Sequence, residues 1–491
     1  MELEETAATV SDQQPESPTP AASQVVAATE TPLPESLTLG LPPRWLSAGE
    51  AALASLPAGS IANSIRLQVM EPSLAQLQSG SIDLAILPDS AGTPVADRML
   101  ALAVPWTAEW EHVSLEEAES ILDEGSPFVA VLEWPELSPT LKPLRVNGLH
   151  PSQPDYPLKE NWSLHVRPGL EDIAIPLAHA LSIQMKVELG QITAVGDIML
   201  ARGLGEAIRS GDYPFAAVQH LLNRADLTIG NLESALGEGG QAETKGYTFQ
   251  APPEAAETLA HAGFDVLSLA NNHAMDYGTQ NLLQALELLK AQGVLGVGAG
   301  SDDSQANAPL FIEVGTLNIA FLSFVDVPVE VRGFDTRVWN AGTGKAGVAW
   351  ADPQRMRTGI ESARASADLV IVLLHSGYEY ISEPSPPQQL AARLAIDSGA
   401  DLVIGHHAHV LQGIEYYGDG VIVYGLGNFA FEDGGVQDTG LMNIWIDNEG
   451  VRSLEFVPLV LPDDGRPIPA NPVRAELIRS NIYSLTRTVK P

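Results

Sequence analysis

The chain of 491 residues has no cysteine. That removes disulfide staples, thiolate metal ligands and cysteine nucleophiles, and leaves the redox compartment open. Basic residues are scarce: 26 Lys and Arg stand against 62 Asp and Glu, a formal net charge of −36. Such a surface repels phosphate backbones and anionic lipid heads, so nucleic acids and membrane surfaces are disfavoured as partners. A phosphorylated or polyanionic substrate would need a local positive centre, and a metal would serve. No apolar run is long enough for a transmembrane segment. The opening MELEETAATVSDQQPESPTPAASQ lacks the basic, apolar pattern of a signal peptide. It reads as the spacer that follows a removed signal or lipid anchor, which predicts an extracytoplasmic protein, secreted or lipid-anchored.

At 45% hydrophobic and 18% charged residues, most of the chain is folded protein, and it is too long for one ordinary core. Residues 1–38 carry seven acids, no Lys or Arg, and many Pro, Ser, Thr and Ala. They hold too little apolar surface to offset the entropy of ordering, so a disordered acidic tether is expected. Residues 39–185 read as a smaller α/β accessory domain: SGSIDLAILPDS is a strand, ALAVPWTAEWEHVSLEEAESIL runs from a strand into a helix, and FVAVLEWPEL is another strand. Ser114 followed by Glu117 fits a capping box. Pro168 to Leu189 reads as a helix and connector.

From residue 186 the chemistry begins, on five apolar strands that each end in polar side chains. GQITAVGDIMLARG presents Asp197, ADLTIGNLESALG presents Asn231 and Glu233, and GFDVLSLANNHAMDYG presents Asn271, Asn272, His273 and Asp276 ahead of a helix from about Thr279. ADLVIVLLHSGYEY gives His375 and Glu379, and ADLVIGHHAHV gives His406, His407 and His409. A strand with a polar tip is the pattern of a site built at a sheet edge. Histidines two apart on an extended segment point the same way, so His407 and His409 are expected to face one ion while His406 points elsewhere or supports them. Singly, Asp197 reads as a turn cap, Asn272 as a loop holder and His375 as a semi-buried histidine. Jointly they read as a metal centre, because structural polar groups have no reason to collect at one end of successive strands. Imidazole and carboxylate without thiolate suit Mn, Fe, Zn or Mg and do not choose among them. Arg202 is a nearby cation, either an anion-binding group or half of a surface salt bridge. Further on, Gly440 to Ile446 and Val451 to Leu461 read as antiparallel strands, and DDGRPIPANPVRAELI as a Pro-containing excursion into a short amphipathic helix within the C-terminal extension, 466–491.

The motifs VGDIMLAR, GNLESALG, YTFQAPP, LANNHAMDYG, HSGYEY, and GHHAHVLQ with YGLGNFAF run from about Ile192 to Phe431. By these motifs, in this order, the chain resembles the capsule and poly-γ-glutamate synthesis CapA proteins, within the calcineurin-like metallophosphoesterase superfamily. The resemblance implies an α/β fold for residues 186–465: a four-layer α-β-β-α sandwich with two divalent metal ions at the strand ends. It implies Asp197 on the first metal, Glu233 or Asn231 in the bridging place, Asn272 with His375 and His407 on the second metal, and His409 reaching back to the first. His273 falls beside the leaving-group oxygen, with Asp276 or Asp265 as its orienter. Two cations roughly 3.5–4 Å apart stabilise attacking and leaving oxygens of a phosphoryl displacement and lower the pKa of bound water toward about 7. The chain departs from the superfamily at Met199, where Asp-x-His has its histidine, and at Gly230-Asn231, where Gly-Asp supplies a bridging Asp; Ser376 stands where the family usually has Trp.

The implied function is hydrolysis or transfer of a phosphate ester during synthesis of an anionic exported polymer, alongside a capsule-synthesis membrane complex. The alternative is a polymer-binding assembly factor that uses the same cleft without turnover, which Met199 favours and the Asn272-His273 pair disfavours. Within residues 39–185, the Gly80-x-x-Asp83 strand, the Val104-Pro105-Trp106-Thr107 turn and the helix from Leu115 to Leu122 before Trp134 resemble part of a periplasmic solute-binding protein.

Overall fold

The structure is a computed structural model that describes residues 36–57, 64–185, 189–330, 332–435 and 437–489. Of the expected tether, residues 1–35 lie outside the described residues, and the first strand already begins at Leu37.

The N-terminal unit is built on strands β1 (Leu37–Leu41), β2 (Ile65–Val69), β3 (Leu84–Leu87), β4 (Thr93–Pro105), β5 (Ala130–Glu133), β6 (Leu141–Pro143) and β7 (Lys159–Val166). They form one sheet in the order β2-β1-β3-β7-β4-β5, with β6 also on β4. Helix Leu115–Glu124 starts where the sequence predicts: Glu117 N donates to Ser114 Oγ at 3.2 Å and Ser114 N donates to the Glu117 carboxylate at 2.8 Å. Helix Glu171–Met185 lays Leu177, Leu181 and Met185 over Leu39, Leu84 and Ile86 of the sheet.

The larger unit begins with β8 (Gly190–Ile198), β9 (Leu227–Leu232), β10 (Val266–Ser268) and β11 (Leu295–Val297), mutually parallel. The chain then crosses to a second sheet through β12 (Leu310–Val314), β13 (Leu317–Asp326), β14 (Leu369–Ser376), β15 (Leu402–His406), β16 (Ile414–Tyr417) and β17 (Gly420–Val423). It returns to the first sheet with β18 (Asn428–Ala430), β19 (Gln437–Asp447) and β20 (Gly450–Leu461). The first sheet runs β11-β10-β9-β8-β19-β20 with β18 beside β8, and the second runs β12-β13-β14-β15-β17-β16. The antiparallel pair β19 and β20 matches the strands expected at Gly440 and Val451.

Alternation along β14 shows how the layers stack. Leu369, Ile371 and Leu373 point inward and meet Ile192, Ile229 and Ile444 of the first sheet. Their neighbours Val370, Val372 and Leu374 point outward onto Met356 and Ile360 of helix Pro353–Arg364 and Ala392 and Ala395 of helix Pro386–Asp397. Beyond the first sheet, Val195, Ile198 and Leu267 pack on Leu204, Leu259 and Leu282 of helices Arg202–Arg209, Glu254–Ala262 and Gly278–Ala291. The result is the four-layer α-β-β-α sandwich. Burial on both faces explains why LVIVLL reads as one continuous apolar run, and each such side chain contributes about 1.5–3 kcal/mol relative to exposure.

The small unit is docked on the sandwich by aromatic rings. Trp106, just past β4, enters the core between the two sheets, donates from Nε1 to Leu454 O at 3.0 Å and meets Tyr483 edge-on. Trp134 meets Trp445 edge-on at 5.3 Å. Among the described residues no helix is long and apolar enough to cross a membrane.

Candidate metal centre

The parallel strands deliver their polar tips to one place. Asp197 on β8 is in register with Asn231 on β9 and Asn428 on β18, and His375 on β14 with His406 on β15. Close approach at this edge fixes one residue type: Asp197 N donates to Gly427 O at 3.0 Å, and a Cβ at Gly196 would lie 1.8 Å from that oxygen.

Two overlapping groups of side chains could each hold a cation: Asp197, Glu233 and His375, and Glu233, His407 and His409. All five residues are buried, and their ligand atoms within each group lie within 4.8 Å of one another. Glu233 belongs to both groups. Its carboxylate is 0% exposed, neither oxygen accepts a hydrogen bond, and His375 Nε2 and His409 Nε2 both stand 3.7 Å from Oε1. His407 Nδ1 is likewise buried without a partner. Orphaned acceptors of this kind are costly unless a cation answers them, so the residues present fit a bound metal.

The histidines converge by a route that differs from the expected alternation. Strand β15 ends at His406, whose Nε2 donates to Val195 O at 3.2 Å, consistent with a supporting place. His407 and His409 then take left-handed backbone conformations, φ 88° and 58°, which side chains other than glycine adopt rarely and at a cost. The turn lets His407 N donate to Asp197 Oδ2 at 3.1 Å. The grouping also differs from the one the resemblance implies, since His375 falls with Asp197 and His407 with His409. His409 nonetheless keeps a contact to Asp197 Oδ2, 3.5 Å from its Nδ1.

Of the two bridging candidates, Glu233 has its oxygens free, whereas Asn231 is committed elsewhere. Asn231 Nδ2 donates to Asp197 Oδ1 at 2.8 Å and His375 Nδ1 at 3.2 Å, and its Oδ1 accepts from Asn271 Nδ2 at 3.0 Å. Asn272 Oδ1 accepts from His375 Nε2 at 2.7 Å, which brings the two candidate ligand atoms together.

Electrostatics divide the cluster. Burial would raise the Asp197 carboxyl, but the His409 hydrogen bond and the charges of His406, His409 and His375 outweigh it and hold the acid well below its ordinary range. Burial and then the Asp197 charge push Glu233 well above it. Burial and the neighbouring imidazoles keep His375 far down and His407 at about 3. Burial opposes charge on His409 too, yet Glu233 and Asp197 together raise it to about 10. In the metal-free cluster burial and the Asp197 charge disfavour the Glu233 carboxylate, and a cation placed there would favour it.

Beside this cluster lies the candidate acid. His273 Nδ1 pairs with Asp276 Oδ2 at 2.7 Å, which fixes Asp276 as the orienter. Asp265 is excluded from that place, because its Oδ2 accepts from Thr228 N. Arg202 turns to the rim, where it donates to Glu432 O at 2.7 Å and lies over the ring of Phe249, which packs on His273. Met199 is fully buried with Phe249, Phe431 and Leu461, an apolar wall in place of a ligand.

Three residues escaped sequence reasoning. Lys245, its side chain fully buried, donates to Asp276 Oδ1 at 2.7 Å, Glu330 Oε1 at 2.6 Å and Asn272 O at 2.6 Å. Glu330 in turn accepts from Asn272 Nδ2 at 3.0 Å. Asn428 Oδ1 accepts from His409 Nδ1 at 2.8 Å and so turns His409 Nε2 toward Glu233. Asn428 was visible at a strand end in GLGNFAF, whereas nothing in the loop around Lys245 or Glu330 has a period to read.

Fold and centre define a four-layer α/β sandwich with a buried carboxylate and histidine cluster at its strand ends. The family of bacterial capsule synthesis proteins, PGA_cap, matches residues 191–433. The chain is 33% identical over 304 residues to the capsule biosynthesis protein CapA of Bacillus anthracis, covering 60% of this chain and 71% of that protein. It is 34% identical over 272 residues to the PGA biosynthesis protein CapA of Bacillus subtilis, covering 54% and 70%. The chain belongs to this CapA family of capsule synthesis proteins. Among solved structures, one described as a novel phosphatase from Mycoplasma pneumoniae is 14% identical and covers 56% of this chain and 95% of its own, with a TM-score of 0.38.

Proposed function

We propose that the centre would hold two divalent ions, with Glu233 common to both ligand groups, and would serve hydrolysis or transfer of a phosphate ester during synthesis of an anionic exported polymer. The observation that carries this reading is Glu233, whose two buried oxygens have no donor and which is common to both candidate ligand groups. Asp197 and His375 would complete one ion's set, with Asn272 beside His375, and His407 and His409 the other's. When bound, the ions would supply Lewis acidity toward a phosphoryl oxygen and an acidified water. His273, with Nδ1 tied to Asp276, has Nε2 left to give a proton to the leaving oxygen, and Lys245 keeps Asp276 in place. The rim position of Arg202 suits a charge contact to the anionic substrate. In this reading residues 186–465 carry the chemistry, residues 39–185 form an accessory unit, and the protein acts outside the cytoplasm with a capsule-synthesis membrane complex.

The test is elemental analysis of protein purified without chelator, paired with turnover of bis-p-nitrophenyl phosphate. Two ions per chain are expected, with turnover that falls by about 10²–10⁴ in His273→Ala. One ion or none, with no turnover in added Mn, would sink it. That outcome would leave the second reading, a non-catalytic assembly factor, which is favoured by the apolar burial of Met199 where a ligand would be needed.

A further inference from the structure

A second site lies away from the metal centre and shares no residue with it. Between the small unit and the sandwich is a cavity of about 240 Å³, into which separate segments bring Lys142 and Arg145, Arg224, and Arg479. Lys142 is on β6, Arg224 lies in the loop before β9, and Arg479 is on the last helix, Pro472–Leu485. In a chain of net charge −36, four cations at one cavity are a concentration that needs a cause.

Pairing accounts for half of them. Lys142, with its side chain 6% exposed, is answered by Glu111 and by Tyr483 Oη at 2.9 Å, and Arg145 is answered by Glu455. Among the described residues, Arg224 and Arg479 donate no hydrogen bond and form no ion pair. Two positive charges are therefore left over. The deep end of the cavity also holds His150 Nε2, buried and without a partner. Beyond the effect of burial, Glu111 favours the charge on Lys142 and Arg479 weighs against it. An arrangement that holds cations together at a cost, with open space between them, is relieved by an anion.

The space sets the size of that anion. About 240 Å³ is the volume of about eight waters at ~30 Å³ each, room for a small organic acid. The cavity opens into a second hollow of about 450 Å³ that shares Glu111, His112, Arg479 and Tyr483 and is walled by Trp110 and Leu477, 41% and 59% exposed. The inner cavity thus sets four cations against Glu111 and Glu455, and the mouth sets Trp110 and Leu477 beside Glu109 and Glu476. We infer that this cleft binds a small organic ligand through an oxyanion group, carboxylate or phosphate, placed between Arg479 and Arg224, with the rest of the ligand along Trp110 and Leu477. Guanidinium groups recognise planar oxyanions by paired hydrogen bonds, which fits the use of arginine at both free positions.

The test is calorimetric titration of the full chain at low salt with L-glutamate, succinate and inorganic phosphate, for wild type, Arg479→Gln, Arg224→Gln, Glu233→Gln and the exposed control Arg209→Gln. The expected result is saturable binding of at least one probe, weakened at least about tenfold by Arg479→Gln and by Arg224→Gln, and unchanged by Arg209→Gln and Glu233→Gln. A carboxylate probe alone, or phosphate alone, identifies the source of the oxyanion. Circular dichroism and melting of each variant separate lost binding from lost folding, and Arg224, exposed, is the variant least able to disturb the fold. Absence of saturable binding by wild type up to about 10 mM of every probe overturns the inference. So does binding that Glu233→Gln abolishes and Arg479→Gln leaves intact, since the anion would then sit at the metal centre.

Discussion

The side chain of Lys245 has no exposed surface, yet it faces the carboxylates of both Asp276 and Glu330, and it also fixes the backbone of Asn272. Removing one partner of a buried ion group leaves the others charged and unsolvated, which is far costlier than the net worth of the pair. Lys245→Met is therefore expected to lower stability by about 3–5 kcal/mol in urea unfolding; a loss under about 1 kcal/mol would mean that the carboxylates find other donors. Glu233 poses the opposite case, a buried acid neither of whose oxygens accepts a hydrogen bond. Glu233→Gln should raise the melting temperature of chelator-treated protein, because the amide carries no charge to desolvate. The same change should shrink the rise in melting temperature that added metal produces, since a ligand stabilises only in proportion to its affinity. A lower melting temperature for the metal-free variant would show that protein donors already satisfy Glu233.

At the scale of elements, the join between the small unit and the sandwich is expected to weaken in acid. His150 lies flat on Trp445, with centroids 4.4 Å apart, and edge-on to Trp134, and burial pushes its pKa down from 6.5 to about 4. The folded ring therefore stays neutral to near pH 4, whereas the unfolded ring takes a proton below 6.5. The contribution to stability is whole above pH 6.5 and is lost as the pH falls toward 4, by up to about 3 kcal/mol. Melting between pH 7 and 4.5 should show a flatter decline for His150→Leu than for wild type, and parallel curves would rule out His150 as the cause. The strands of the sandwich were legible in sequence because both faces of a run such as LVIVLL are buried, and helix Leu115–Glu124 because its cap is local, Ser114 with Glu117. The docking was not legible. Trp106 reads as part of a turn, and only the fold shows its ring crossing to Leu454, 348 residues on. The centre divides in the same way. Its candidate ligands stand at strand ends that periodicity reveals, but the left-handed turns at His407 and His409 leave no mark in the sequence, and Lys245 reaches Glu330 across 85 residues of loops and strands.

For the whole molecule the governing quantity is the charge of −36, spread over a surface that the proposed anionic substrate would have to approach. The favourable field of a metal centre acts at close range, while the repulsion of the acidic surface acts over the Debye length, about 30 Å at 0.01 M salt and about 8 Å at 0.15 M. Added salt should therefore screen the repulsion first and help binding. KM for a phosphate ester is expected to fall a few-fold between these two salt concentrations while kcat stays constant, and to fall more for dianionic p-nitrophenyl phosphate than for monoanionic bis-p-nitrophenyl phosphate. That sign is opposite to the one seen for basic proteins that bind polyanions, whose affinity falls with salt. If KM instead rose with salt for both esters, the near field of the bound ions and Arg202 would outweigh the net charge. The acidic surface would then act on solubility and leave substrate approach to the centre itself.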